Sequence, residues 1–375
     1  MIHPVRMDAA FDFCCPVKLH YGRGAIDRLG EFAEGAGRVL LVTGQASARK
    51  SGLLQRARKA LAPRAVTVFD GVEPNPSIET VQRGAKLAVE SEADLVVGMG
   101  GGSAMDAAKA IAAIAPNGGD FRRELGKRRL ANPPIRLLAV PTTCGTGSEA
   151  NHYAIITDAR ANDKVNFSGP QTYPAAGILD PTVLDSVGRH ILVGTALDAF
   201  SHALEGYTSR RSQPAAETLA LEAMGLILRH LPAAADGDRE AKANLLFASA
   251  LAGIVIAHSG TTMLHAMGYY LTLRHGIPHG KANAILLPAL MEHLEVHLHD
   301  KLSAVLELLP VGRRDLEAMS RYIEDLGVQT ALSAHGVNAD EFSAWADYVL
   351  TKPNTAATVG VVDKKTLLGL LRARA

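Results

Sequence analysis

The sequence predicts an α/β protein in two parts: an N-terminal parallel-sheet domain covered by helices, residues 1–187, then an all-helical domain, residues 188–375. Three observations carry this. Through the first half, short β-branched runs alternate with helical stretches, the order that yields parallel strands joined by crossover helices. After Leu179-Asp180-Pro181 the texture changes, and from about residue 188 Ala, Leu and His recur at helical spacing with few strand-like runs. The 375 residues are also more than a single hydrophobic core usually serves.

Taken in order, residues 39–43 (VLLVT), 65–69 (AVTVF), 94–99 (DLVVGM) and 136–140 (RLLAV) read as strands. Between the second and third, Ile78, Val81, Ala85 and Ala88 share one helical face, and Pro74 and Pro76 set the turn before it. The third strand runs into Gly100, Gly101 and Gly102, then a helix opened by Ser103 with Asp106 three residues on, a capping-box arrangement. The helical half follows as TALDAFSHALEGYTS, AAETLALEAMGLILRHL, AKANLLFASALAGIVIA, ANAILLPALMEHLEVHL and LEAMSRYIEDLG. No fixed-period repeat or low-complexity tract interrupts them.

Composition removes several function classes. Lys+Arg 39 against Asp+Glu 38 gives a net charge of +1, so neither a basic field for nucleic acid nor an acidic solvating tail is present. Cys14, Cys15 and Cys144 are too few for a disulfide framework and lack CxxC spacing, which points to a reducing compartment. MIHPVRMDAAFDFCC has no uninterrupted apolar run, and no later stretch is expected to reach the roughly 20 apolar residues of a membrane span. The expectation is a cytoplasmic protein without membrane or nucleic-acid partners.

Two segments suit a nucleotide. Gly100, Gly101, Gly102 and Ser103 would let backbone N–H groups approach a pyrophosphate at a helix's positive end, although the run is neither GxGxxG nor a P-loop, and an ordinary strand-to-helix turn is the alternative. VPTTCGTGSEAN then offers the Thr142, Thr143, Thr146 and Ser148 hydroxyls beside two glycines, a ribose-phosphate wall or a plain polar loop.

The most specific chemistry lies in the helical half. Asp198 and His202 are i and i+4 on one helix, so both project from one face; His265 and His279 follow in LHAMGYYLTLRHGIPHG. One carboxylate and three imidazoles complete a shell for a divalent ion, and without thiolate they suit Fe(II) or Zn(II). The alternative for any one histidine is a satisfied core residue. Four ionisable groups together, however, need partners when buried. His293 and His297 in MEHLEVHLHD lack the HExxH order and are expected on a solvated helix face. His258 and His275 either line a substrate pocket or cap a helix end.

GGGSAMDAAKA, PTTCGTGSE, ILDP, DAFSHALEGY and HAMGYYLTLRHGIPHG, in that order, resemble the iron-containing (group III) alcohol dehydrogenase family, from about residue 16 to KPNTAATVG near the C-terminus. The resemblance implies a Rossmann-like dinucleotide domain joined to a helical one, the dehydroquinate synthase-like architecture, and a homodimer or larger homo-oligomer. It also implies metal ligation by Asp198, His202, His265 and His279, pyrophosphate binding by Gly100 to Ser103, and nicotinamide-side contacts from Thr142, Thr143, Thr146 and Ser148. Further cofactor contacts map to Asn75, Lys164 and Leu179.

The implied reaction is hydride transfer between nicotinamide C4 and a small alcohol, aldehyde or ketone whose oxygen the metal polarises. Two departures from the family pattern bear on it. Many members carry a histidine four residues after the third ligand, where this chain has Tyr269; that leaves Tyr269, His275, a water or the cofactor ribose as the proton route. NAD-preferring relatives often carry an aspartate after the first strand, where this chain has Gly44, and with Ser47, Arg49 and Lys50 nearby NADP(H) becomes admissible beside NAD(H). Competing readings are a maleylacetate reductase or glycerol dehydrogenase type of reductase, a dehydroquinate synthase-like lyase, and a catalytically silent nucleotide-binding protein. The intact quartet argues against the metal-free and silent forms, and the absence of a Lys/Arg cluster around it argues against the lyase.

Overall fold

The structure, a computed structural model, describes residues 10–127, 129–310 and 312–375. It divides into two compact units. Cys14–Val187 forms one and Gly188–Ala375 the other, with the described residues before Cys14 grouping with the second. There Phe13 stacks on His258, ring centroids 4.3 Å apart.

The first unit is built on six parallel strands: β1 (Lys18–Tyr21), β2 (Arg38–Gly44), β3 (Ala65–Val72), β4 (Leu95–Gly100), β5 (Arg136–Pro141) and β8 (Ala176–Leu179). Their order is β1-β8-β5-β4-β2-β3, while β6 (Ile155–Asp158) and β7 (Asp163–Asn166) form a separate antiparallel hairpin. β2 and β4 read as continuous apolar runs because helices cover both faces, and every residue of β4 is buried. The four strands expected from the sequence are present, each extended or shifted by one to three residues. β1 and β8 have no β-branched run to announce them: KLHY is half polar, and AGIL has one β-branched residue in four.

Because β3 lies on one side of β2 and β4 on the other, the chain reverses its direction across the sheet between β2 and β4. Ligands of open parallel sheets bind outside the carboxyl ends of strands at such a switch point. Gly44 ends β2, and Gly100 ends β4.

Three helices complete the description needed here: α1 (Leu53–Leu61), α2 (Ile78–Glu90) and α3 (Gly102–Ile114). α2 starts where Ser77 Oγ accepts the Thr80 N–H, and it buries the expected face of Ile78, Val81, Ala85 and Ala88. The expected capping box on α3 is corrected. Its N-cap is Gly101, no side chain caps it, and Ser103 Oγ instead accepts the Asn75 N–H at 3.2 Å. Asp106 faces inward and accepts from Ser148 Oγ (2.6 Å) and the Ile155 N–H (3.0 Å). An Ala-rich helix buried almost all round leaves its few polar side chains no solvent face, so they serve the loops packed on them.

The second unit is helical, with α4 (Arg189–Thr208), α5 (Pro214–Ala235), α6 (Arg239–Ser259), α7 (Met263–His275) and α8 (His279–His297) as its long elements. Two findings correct the sequence reading. α6 is long and apolar enough to cross a membrane by length and composition, and its most apolar window is 72% buried inside this unit, as a core helix. His293 is buried rather than solvated: its Nε2–H donates to the Val359 carbonyl at 2.7 Å, and burial lowers its pKa, while His297 is exposed as expected.

Candidate metal centre and cofactor loops

Three helices bring the quartet together because small residues let their backbones meet. A Cβ on Gly280 of α8 would lie 2.3 Å from the Gly194 carbonyl oxygen of α4 and 3.1 Å from Asp198 Cβ. Between α7 and α8, a Cβ on Gly268 would lie 2.0 Å from Asn283 Oδ1. At that spacing Asp198 and His202 on α4, His265 on α7 and His279 at the start of α8 converge.

Ligand atoms of Asp198, His202 and His265 all lie within 4.8 Å of one another. His265 Nε2 is 2.9 Å from His202 Nε2, and Asp198 Oδ1 is 3.9 Å from both His265 Nε2 and His279 Nε2. Tetrahedral ligands about 2.1 Å from one ion stand about 3.4 Å apart. The observed separations bracket that value, so Asp198, His202 and His265 fit a single divalent cation, while His279 stands outside that buried trio, partly exposed and next to Asp198.

Hydrogen bonds and charge order the groups around the cluster. Glu205, one turn beyond His202, contacts His265 Nδ1; a carboxylate only accepts, so Nδ1 holds a proton and Nε2 faces the cluster. Burial pushes the Asp198 carboxyl up, but His202, His279 and His265, with the Asn283 amide, outweigh it and hold the group below its ordinary range. Glu205 is lowered likewise, burial being outweighed by His265 and by donors from Thr262. Asn283 Nδ2 donates to Asp198 Oδ1 at 2.8 Å and lies 3.2 Å from His265 Nε2 and 3.3 Å from His279 Nε2.

Neither Glu205 nor Asn283 was singled out from the sequence. The signal was present: Asp198, His202 and Glu205 run i, i+4, i+7, and His279 and Asn283 run i, i+4, each set along one face.

Of the two side chains named for proton transfer, Tyr269 joins the cluster. Its ring stacks on His279 at 5.4 Å and meets His265 edge-on at 6.4 Å. His275 is held elsewhere, its Nε2 2.9 Å from Glu341 Oε2, an oxygen that also accepts from the Tyr270 hydroxyl.

In the α/β unit the two glycine-bearing loops touch. A Cβ on Gly101 would meet Thr143 Oγ1 at 3.4 Å, one on Gly102 would meet Thr146 Cγ2 at 2.6 Å, and the Thr142 N–H donates to the Gly100 carbonyl at 2.8 Å. Asn75, left-handed at φ 56°, sits beside this pair: its N–H reaches Ser103, and its Oδ1 accepts from Lys164 Nζ at 2.9 Å. Asn75, Gly100, Gly101, Gly102, Ser103, Thr142, Thr143, Thr146 and Lys164 therefore form one wall.

Other expected contacts stand differently. Ser148 is buried, its hydroxyl taken by Asp106 and by Lys109 Nζ (2.7 Å), and Leu179 is buried at the end of β8. Gly44 has room, since a Cβ there would meet only ordinary contacts at 3.7 and 3.9 Å; Arg49 is ion-paired with Asp70.

The iron-containing alcohol dehydrogenase model matches residues 16–181, and the C-terminal model of the same family matches 192–375. The chain belongs to the iron-containing alcohol dehydrogenase family. It is 30% identical to the 1,3-propanediol dehydrogenase of Klebsiella pneumoniae over 96% of this chain and 98% of that one. It is 28% identical to the NAD-dependent methanol dehydrogenase of Bacillus methanolicus over 89% and 92%. Among solved structures, an iron-containing alcohol dehydrogenase from Thermotoga maritima matches with a TM-score of 0.89 and 33% identity, covering 97% and 99% of the two chains. Family membership makes the protein an oxidoreductase of the alcohol dehydrogenase type, with iron and NAD(H) as the family's metal and cofactor.

Proposed function

We propose that the protein interconverts a small alcohol and its aldehyde or ketone, with Asp198, His202, His265 and His279 holding Fe(II), Zn(II) being the alternative ion. The observation that carries this reading is the buried convergence of the Asp198 carboxylate with the His202 and His265 ring nitrogens, His279 lying 3.9 Å from Asp198 Oδ1 at their edge. When bound, the ion supplies Lewis acidity to the substrate oxygen, and the nicotinamide supplies or accepts the hydride.

The chain's own residues do the remaining work. Asp198 contributes the negative charge that offsets a dication. Gly100 to Ser103 offer uncapped N–H groups at the start of α3 to a pyrophosphate, with Thr142, Thr143 and Thr146 beside them and Asn75 and Lys164 on the other flank. Tyr269, against His279, is the candidate to pass a proton at its hydroxyl. Replacing His265 with Ala is expected to abolish both metal retention and turnover; an unaltered metal content in that variant refutes the assignment.

Cofactor choice and setting are finer parts of this reading. Space at Gly44 with Ser47 and exposed Lys50 supports use of NADP(H) alongside NAD(H), although Arg49 is engaged by Asp70. Turnover with the two cofactors at equal concentration tests this, and a strong NAD(H) preference removes it. A homodimer in the cytoplasm completes the proposal, the latter supported by three free cysteines. Sedimentation analysis tests the oligomer, a monomer being the contrary result.

A further inference from the structure

We propose that Glu205 is a positioning residue for the metal centre, its carboxylate fixing the tautomer and ring orientation of His265. The inference rests on the reading of Asp198, His202, His265 and His279 as ligands. Glu205 is completely buried on α4, and four donors converge on it. Oε1 accepts from the Thr262 N–H and the Thr262 hydroxyl, both at 2.7 Å, and from the His265 N–H at 3.3 Å; Oε2 takes His265 Nδ1–H. One carboxylate therefore grips both the backbone and the ring of His265.

The consequence for the ring is electronic as well as geometric. With Nδ1–H committed to an anion, Nε2 is the deprotonated nitrogen, it is the more basic for that partnership, and it faces His202 Nε2 at 2.9 Å. A second role competes with this one. Thr262 is the N-cap of α7 and receives no cap from its own side chain, so Glu205 also satisfies the N–H groups at that helix start, a purely structural service.

Glu205→Gln separates the two roles. The amide oxygen still accepts from Thr262, but the amide N–H₂ facing Nδ1 requires a lone pair there, which moves the ring proton to Nε2 and aims it into the cluster. The measurement is the Zn(II) dissociation constant by chelator competition on the full chain, with the ¹⁵N shifts of the His265 ring and the melting temperature recorded on metal-free protein. The expected result is a melting temperature close to wild type, exchange of the protonated ring nitrogen from Nδ1 to Nε2, and Zn(II) binding weakened roughly 10–100-fold. Glu205→Asp, which keeps an anion, is expected to recover part of that loss.

Wild-type Zn(II) affinity in Glu205→Gln overturns the inference while leaving the quartet intact. Equal Zn(II) binding by wild type and His265→Ala overturns the quartet itself and the inference with it. Should Glu205→Gln melt early, Thr262→Val serves as the control, since it weakens the cap and spares Nδ1. An affinity loss in Thr262→Val equal to that of Glu205→Gln assigns Glu205 to structure alone and overturns the proposal; unchanged affinity supports it.

Discussion

Two carboxyl groups in each unit, Asp198 and Glu205 in the helical one and Glu149 and Asp106 in the α/β one, are driven in opposite directions. In the helical unit Asp198 and Glu205 are held below the ordinary carboxylate range, because imidazoles and hydrogen-bond donors outweigh burial. In the α/β unit Glu149 is pushed up to about 7 by burial, against its own backbone N–H and Lys109, and Asp106 is raised by burial against Lys109, Ser148 and the Ile155 N–H. Lys109 shares that environment: burial lowers it to about 8 despite both acids, and its Nζ donates to Ser148 Oγ, Asn151 Oδ1 and the Tyr153 carbonyl. Depth alone therefore does not set protonation; the number and charge of the groups in contact do.

The comparison breaks most visibly if Asp198 loses its charge. Asp198→Asn keeps the shape and removes the anion, and metal affinity, read by chelator competition, is expected to fall beyond the roughly 10–100-fold attached to an outer partner. Next in size is Gly280→Ala. Its Cβ would meet a backbone oxygen, so α4 and α8 must part; a loss of ~3 kcal/mol in denaturant unfolding is expected, together with lost metal.

Glu149→Gln sharpens the other side of the comparison. A raised folded-state pKa means that the folded protein keeps a proton the unfolded chain has released, so stability falls as pH rises from about 4.5 to about 7. The substitution removes that component, on the order of 3 kcal/mol. Melting curves at pH 4.5 and pH 7.5 should then lie closer together than in wild type; an unchanged gap means that Glu149 is ionised in the fold. The smallest effect is expected for Ser103→Ala, which strips Asn75 of its hydrogen-bond acceptor and should weaken NADH binding by about fivefold in a fluorescence titration.

Legibility in the sequence followed the same division. Strands and helices whose burial pattern has a period were readable: β2 and β4 as apolar runs, and the α2 face from Ile78 to Ala88. Asp198 and His202 stood out because i, i+4 spacing and residue chemistry coincide, and the structure gathers them with His265. Groups that work through another residue carried no such mark. Glu205 stands inside the very segment that drew notice, yet its role depends on where α7 begins, a tertiary fact. Ser103 was misjudged because a serine after glycines looks like a cap, whereas the backbone at Asn75 captures its hydroxyl. His293 was misjudged because polarity on an i, i+4 face suggests solvent, while a carbonyl from Val359 waited in the interior.

The tight seating of Gly268 and Gly280 has a practical outcome for anyone wishing to redirect this protein toward other alcohols. At each of them a single added methyl meets an atom of the adjoining helix. A randomised library that includes Gly268 and Gly280 would discard most of its members for reasons of assembly rather than of chemistry.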